Sequence, residues 1–336
     1  MRLPEVLASA WGLARARFGH GRLPLFASYA VTYRCDRACA YCHAQRNSGT
    51  ELPTDAAMRL LSELRRLGLR RVGFTGGEPL RRDDLAAILR HCVALGLRTN
   101  LNTNGTLVPA RREVLALVDG VAMSLDGGPG VHDRLRGKGS FAAVETAAAL
   151  VRAGGKRLRL TMVLNRQNVD ELGTFLELCR AWGAQASVHP VYTGNHLWPE
   201  ADSPLTLPPH AHAAVFRELL RVKRGERELL TESRLALEHL ARWPTPTAIP
   251  CFAGRLFVRV TPDGRLRACE WRQGDGARGE GVDASGGGAA HALARLEAGG
   301  CAQCWNPAVV DFNFAAAGRL GPALHVLRAA ARRGAS

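Results

Sequence analysis

From Leu25 onward the sequence alternates short apolar runs with helix-forming stretches, and this rhythm constrains the fold more than any other feature of the chain. Strands are predicted at 25–31, 71–75, 98–101, 121–125, 157–164 and 185–191. Helices are predicted between them at about 53–67, 82–95, 109–118, 141–153 and 169–182. Parallel strands need long crossovers, and a helix laid over the sheet is the usual one. Right-handed crossovers curl such units into an α/β structure, here a full or partial (β/α)6 barrel. Chemistry in such barrels sits where strands end and the following loops begin, so candidate residues are sought at those ends.

The chain of 336 residues has room for more than the barrel. Residues 1–24 read as a basic amphipathic helix with Leu3, Leu7, Trp11, Ala14 and Phe18 on one face. It is expected to pack on the main domain; docking to a membrane surface or a partner is the alternative. The barrel is assigned to 25–210, ending in a Pro-rich stretch from 192. A helical linker follows at 211–249, closed by three prolines between 243 and 250. Residues 250–310 open with a hairpin, strands 256–260 and 265–269 around the turn Thr261-Pro262-Asp263-Gly264. Residues 273–288 are Gly-rich and read as mobile, and 311–336 end in an Arg-rich helix at about 320–333.

No apolar run approaches the roughly 20 residues of a membrane span, and the start of the chain lacks a secretory pattern. The nine cysteines are odd in number and seven of them cluster, which points to metal binding in a reducing cytoplasm and away from a disulfide framework. The net charge of +15 invites a nucleic-acid reading, but only Lys138, Lys156 and Lys223 are lysines. The arginines are scattered over many predicted helices and aromatics are scarce at 6%, so the charge is read as compositional bias.

Cys35-Asp-Arg-Ala-Cys39-Ala-Tyr-Cys42 places three thiols on one loop after the first strand. Thiolates suit iron–sulfur clusters or zinc. A four-iron cubane on three cysteines keeps one iron open, whereas structural zinc wants a fourth ligand, for which His43 is near. Further motifs follow at successive strand ends: Thr75-Gly-Gly-Glu-Pro79, Asn102-Thr-Asn-Gly105 and Ser124-Leu-Asp-Gly127, then His132-Asp133 and Arg136-Gly137. The three-cysteine spacing, the aromatic Tyr41 before the last cysteine and this motif order resemble the radical S-adenosylmethionine (SAM) superfamily over about 25–190.

The resemblance implies a 4Fe–4S cluster on Cys35, Cys39 and Cys42 whose open iron is chelated by SAM. It also implies reductive cleavage of SAM to a 5′-deoxyadenosyl radical, hydrogen abstraction from substrate, and an electron donor such as flavodoxin or ferredoxin. By the same resemblance Gly76 and Gly77 let the backbone approach the methionyl amine, and Glu78 holds that end. Ser124 and Arg136 are candidates for the SAM carboxylate, Asn102 and Asn165 for ribose or methionyl contacts, and Tyr41 for the neighbourhood of adenine.

Cys251, Cys269, Cys301 and Cys304 form a second group, a hairpin pair plus a CxxC, that suits a four-cysteine zinc site as well as a cluster. Behind a radical SAM barrel the arrangement looks like the twitch or SPASM auxiliary domains, which implies one auxiliary 4Fe–4S cluster. Cys92 and Cys179 fall in predicted barrel helices and read as buried small hydrophobes. Tyr192, Asn195 and His196 follow the sixth strand and are possible substrate contacts; Glu270, beside Cys269, is a possible proton acceptor. Together these readings describe an enzyme that modifies a small molecule or a peptide. The 34 residues before Cys35 are too few for the winged-helix leader-binding domain of many peptide maturases. Lipid modification at a membrane surface and a non-catalytic metal protein are the alternatives.

Overall fold

The computed structural model describes residues 10–15, 18, 21–42, 49–191, 203–245, 248–269, 281–297, 299 and 304–331. Among them nine strands build one sheet in the order β6-β5-β4-β3-β2-β1-β7-β8-β9. The six barrel strands are β1 (Phe26–Thr32), β2 (Arg71–Gly76), β3 (Arg98–Thr103), β4 (Gly120–Ser124), β5 (Arg157–Leu164) and β6 (Gln185–Pro190). All pair in parallel with their neighbours, as the alternation predicts. The crossovers carry α1 (Thr54–Arg66), α2 (Leu85–Ala94), α3 (Pro129–Arg136), α4 (Ser140–Ala153) and α5 (Leu172–Ala181). The sheet is mixed α/β and of partial barrel character, with its two edges at β6 and β9.

Strand β5 shows how the sequence makes two faces. Leu158, Leu160, Met162 and Leu164 are buried toward the helices, and Arg157, Arg159, Thr161 and Val163 alternate with them toward the concave side. Helix α1 answers with Ala57, Leu60, Leu61 and Leu64, a stripe at helical spacing that joins the same core.

Five features differ from the sequence expectations. The predicted helix at 109–118 is a 3-10 helix at Arg112–Leu117, a tighter winding suited to a short link between adjacent strands. Helix α3 is unanticipated, although Pro129 at its first position and Gly137 after its end (φ +104°) are ordinary boundary signals. The long helix expected from 212 to 242 is two, α6 (Pro209–Gly225) and α7 (Arg234–Leu240). The break lets 229–231 run along β6, where Ala186 N–H donates to Leu229 O at 2.7 Å and Thr231 N–H to Ala186 O at 3.0 Å. That covers a sheet edge otherwise open to other chains.

The fourth difference is the hairpin. Strands β7 (Phe257–Val260) and β8 (Arg265–Arg267) form around the expected turn, but β7 also pairs in parallel with β1 and extends the barrel sheet. Within 273–288, residues Val282–Asp283 add the edge strand β9, and Gly288–Arg295 form α8. Two C-terminal helices follow, α9 (Pro307–Ala316) and α10 (Leu320–Ala331). The fifth difference is the N-terminal helix face. In the helical segment 10–15, Leu13 is buried beside Phe252 and Leu256, while Trp11 is exposed. Gly12 packs so closely on Leu25 that a Cβ there would lie 2.5 Å from its side chain, which turns residues 12 and 13 inward. Leu3 and Leu7 lie outside the described residues. No described helix is long and apolar enough to cross a membrane.

Candidate active site

At the end of β1, Ala30 pairs with Thr75 and Thr32 with Gly76, so Val31 is an extra residue. This bulge turns the chain into the loop carrying Cys35, Cys39 and Cys42. Cys35 and Cys39 are half-buried and Cys42 is exposed; all three line one end of a cavity of about 1380 Å3 inside the barrel. The loop is tied down from three directions. Gly77 N–H donates to Thr32 O and Glu78 N–H to Arg34 O, each at 2.8 Å. Asp36 accepts from Asn104 Nδ2 at 2.8 Å and from Thr106 Oγ1 at 2.5 Å. Ala40 N–H donates to Leu135 O at 2.9 Å. The paired glycines are what the first tie requires. A Cβ on Gly76 would lie 2.0 Å from Thr32 O, and one on Gly77 would lie 2.3 Å from Arg34 O. Both glycines also line the cavity.

Glu78 has a different position from the one expected of it. Its side chain is fully buried and does not line the cavity. Oε1 accepts from Leu80 N–H at 3.1 Å and Thr103 Oγ1 at 2.8 Å, and Oε2 accepts from Asn104 N–H at 2.8 Å. Burial pushes the carboxyl up to about 7 against the pull of these donors. Glu78 thus fastens the end of β2 to the loop after β3, behind the cavity wall.

Asp126, within the Ser124-Leu-Asp-Gly127 motif, is the hub on the opposite wall. Fully buried, it accepts from Tyr41 OH at 2.5 Å, Arg136 Nε at 2.6 Å and Val163 N–H at 2.9 Å. The Arg136 guanidinium lies 5.3 Å from the Tyr41 ring centroid, with Nη1 4.0 Å from Cys39 Sγ. Burial opposes the charge on Arg136, but Asp126 beside it and Tyr41 beneath hold it firmly protonated. His132 Nδ1 accepts from Asp126 N–H at 3.1 Å, and burial followed by Arg136 lowers its imidazole to about 4. Sequence reasoning points to Tyr41 and Arg136 and misses Asp126, although an acid within the strand-end motif Ser124–Gly127 is the signal available.

Ser124 and Asn102 line the cavity, and Asn102 is held by Nδ2 donating to Phe74 O at 3.0 Å. Asn165 does not line it: its amide donates to Val163 O and accepts from Gln167 N–H, both at 2.9 Å, so the side chain shapes the turn after β5. Tyr192, Asn195, His196, His43, Glu270 and Cys301 lie outside the described residues. Of the second cysteine group, Cys251, Cys269 and Cys304 are half-buried and pack on one apolar cluster with Phe252, Leu256 and Val309. Cys269 also borders the cavity. Cys92 and Cys179 are buried in α2 and α5, with both thiols pushed up by burial.

Among the described residues no three His, Cys, Asp or Glu side chains converge on one single-ion site. A cubane takes its thiolates on separate iron corners, so three cysteines strung along a pinned loop suit a cluster. Burial pushes Cys35 up to about 11 and raises Cys39 too, and iron would displace those protons outright. The open cavity beyond the three sulfurs leaves room for a molecule on a fourth iron.

A family model, the Radical SAM superfamily, matches residues 29–179. The sequence is 31% identical over 262 residues to the mycofactocin maturase MftC of Mycolicibacterium smegmatis, covering 73% of this chain and 64% of that protein. Identity to the Mycobacterium ulcerans protein of the same name is 32% over 270 residues, covering 75% of this chain and 70% of the relative. The PqqA peptide cyclase of Ruegeria pomeroyi is 32% identical over 254 residues, with 71% of this chain and 66% of that protein covered. The chain thus spans about two thirds of the length of these relatives. Among solved structures, Streptococcus suis SuiB bound to precursor peptide SuiA superposes with a TM-score of 0.58 at 17% identity. That match covers 78% of this chain and 62% of SuiB, and shares the fold.

Proposed function

The chain belongs to the radical SAM superfamily of enzymes, and from that premise we propose that it modifies a peptide by hydrogen-atom abstraction. The observation that carries the reading is one cavity bordered by Cys35, Cys39 and Cys42 at one end and by Cys269 on its flank. When bound, the cluster and SAM supply the oxidising radical that takes a hydrogen atom from an unactivated carbon. The chain's own residues supply position and shelter. Cys35, Cys39 and Cys42 would hold the cluster, and the Gly76–Gly77 backbone and Ser124 would face SAM. Arg136, fixed by Asp126, keeps a positive charge beside Cys39, where it would stabilise the negative charge of a thiolate-ligated cluster. Tyr41 of the loop packs with Leu135, Val191 and Leu205 against Cys39 and shields that side of the loop from water.

The names of the relatives, a maturase and a peptide cyclase, favour a peptide over a small molecule or a lipid. Cys251, Cys269 and Cys304, with Cys301, would hold an auxiliary 4Fe–4S cluster that disposes of an electron in a net oxidation. The reduced anaerobic protein should convert SAM to 5′-deoxyadenosine and methionine, and the triple variant Cys35→Ala/Cys39→Ala/Cys42→Ala should not. Continued 5′-deoxyadenosine formation in that variant would end the reading. Full reconstitution should give about eight irons per chain, four per cluster, and the triple variant about half. Four irons with stoichiometric zinc would replace the auxiliary cluster by a structural zinc site.

A further inference from the structure

The cavity is chemically unlike the packed interior of an ordinary barrel, where bulky aliphatic side chains fill the layers. Here Ser28, Gly73, Gly120 and Ala122 leave the middle open, and Arg71, Arg157, Arg159 and Arg259 line it from three different strands. Twelve arginine and lysine residues border the whole cavity against four carboxylates, among the described residues. Arginine stays charged inside a protein, and Arg71, Arg157 and Arg159 are partly buried, so these three set a standing positive field on the barrel wall, whereas Arg224, Arg227, Arg234 and Arg319 are exposed to solvent.

Two of these guanidiniums have coordination to spare. Arg159 donates from Nη2 to Asn102 Oδ1 at 3.3 Å, and its buried Nε has no hydrogen-bond partner among the described residues. The Arg71 guanidinium makes no hydrogen bond among the described residues. Burial, with Arg157 and Arg98 next, lowers Arg71 to about 10. Asn102 is itself anchored on Phe74 O, so Arg159 is aimed by a fixed partner. The carboxylate facing Arg159 is Glu232, which accepts from Ser187 Oγ at 2.5 Å and Thr231 Oγ1 at 2.9 Å. Asp119 also acts on Arg71 but pairs with Arg98 at 3.2 Å and accepts from Thr99 N–H, so these two carboxylates, both already bonded elsewhere, do not balance Arg71, Arg98, Arg157 and Arg159. Packed like charges persist where a ligand of opposite sign completes them.

We propose that Arg71, Arg159 and the neighbouring Arg157 form an anchor for carboxylate side chains of an acidic peptide substrate, deep in the barrel below the SAM end. The carboxylate assignment rests on the peptide reading above; the anion site rests on the arginines alone. Register gives the spacing. Ser124 pairs with Thr161 at the SAM end, and Arg159 and Arg157 follow two and four residues below on the same face. At the rise of a strand these lie about 7 and 13 Å down the wall from the Ser124–Thr161 pair. Neutral Gln would lose the charge and Lys would lose the two-pronged fork that matches a carboxylate.

The test is calorimetric titration of the reconstituted full chain, without reductant and at fixed ionic strength, using hexaglutamate, hexaglutamine and tripolyphosphate as probes. Hexaglutamate should bind and hexaglutamine should not. Arg159→Gln and Arg71→Gln should each weaken hexaglutamate by about tenfold or more, Arg159→Lys by less, and the exposed Arg59→Gln within about twofold. Thermal unfolding checks that each variant folds; Arg159→Lys keeps the charge and supplies the comparison if a Gln variant does not. Equal binding of hexaglutamate by wild type, Arg71→Gln and Arg159→Gln would overturn the site. Tripolyphosphate outcompeting hexaglutamate at the same arginines would overturn the peptide assignment in favour of a phosphoryl ligand. Assay of 5′-deoxyadenosine in the wild type is independent of this titration. Binding through the arginines by a chain that never cleaves SAM would leave an anion site and remove its role in substrate anchoring.

Discussion

Replacing Asp126 by Asn would leave the Arg136 guanidinium buried beside Cys39 without its counter-charge, and would take a short hydrogen bond from Tyr41. Breaking one partner of a buried pair typically costs about 3–5 kcal/mol, so Asp126→Asn should lower the denaturant midpoint and retain less iron after reconstitution. Arg136→Lys should be milder, since charge survives and the fork does not. Glu78 gives a pH signature. Its folded pKa of about 7 lies above the ordinary carboxyl value of 4.5. The folded state therefore holds a proton that the unfolded state releases across that window, and this group's contribution falls as pH rises from 4.5 to 7. Glu78→Gln removes the titration. Its stability relative to wild type should climb across the window in urea unfolding measured at successive pH values. A flat difference would show that the carboxyl does not titrate there. The variant should sit lower overall by about 1–3 kcal/mol, because its NH2 meets a backbone donor now paired with Glu78.

Segments, rather than single side chains, decide how the cysteine loop is presented. Gly77→Ala puts a methyl group 2.3 Å from Arg34 O, and the end of β2 must then separate from the loop. Its iron content should fall well below that of Gly96→Ala, where the added Cβ meets nothing within 4 Å even though φ is +67°. The strands and the cysteine, glycine and Ser124 positions are legible in the sequence because alternation and strand-end motifs are local signals. Helix α3 is legible too, through Pro129 and Gly137, but the motif between them draws the reading toward a loop. What local signals do not carry is which strands become neighbours. Phe257–Val260 is buried along its whole length, the mark of a central strand and not of a hairpin edge, and its apolar run hints at that. That β1 is its partner has no local signal, since pairing depends on the three-dimensional closure of the sheet. Likewise, Glu78 reads as a ligand because its motif stands at a strand end. Only coordinates show that three donors already claim it.

The whole molecule should respond to acid through its buried imidazoles. Burial, with Arg136 next for His132 and Arg159 next for His189, lowers these two to about 4 and 3, and burial alone lowers His212 to about 4. Each is neutral when folded and takes a proton once unfolded below about 6.5, so each adds stability that is complete above 6.5 and lost as pH falls toward 4. Melting temperature should therefore rise from pH 4.5 to 6.5 despite the opposite, smaller trend of Glu78; a fall over that interval would contradict the burial of these rings. A different consequence follows from the place of β7 beside β1. Phe26 finds Arg71 on one side early in the chain, but its other neighbour, Phe257, is roughly 230 residues away. During synthesis, β1 emerges from the ribosome roughly 230 residues ahead of β7 and must wait for that whole stretch before its second edge is covered. Throughout that interval the strand leading to the cysteine loop offers unpaired amides to any other nascent chain. Expression should accordingly be limited by aggregation of incomplete chains. Stopping translation just before β7 should give insoluble product, whereas chains released after β9 should partition to the soluble fraction.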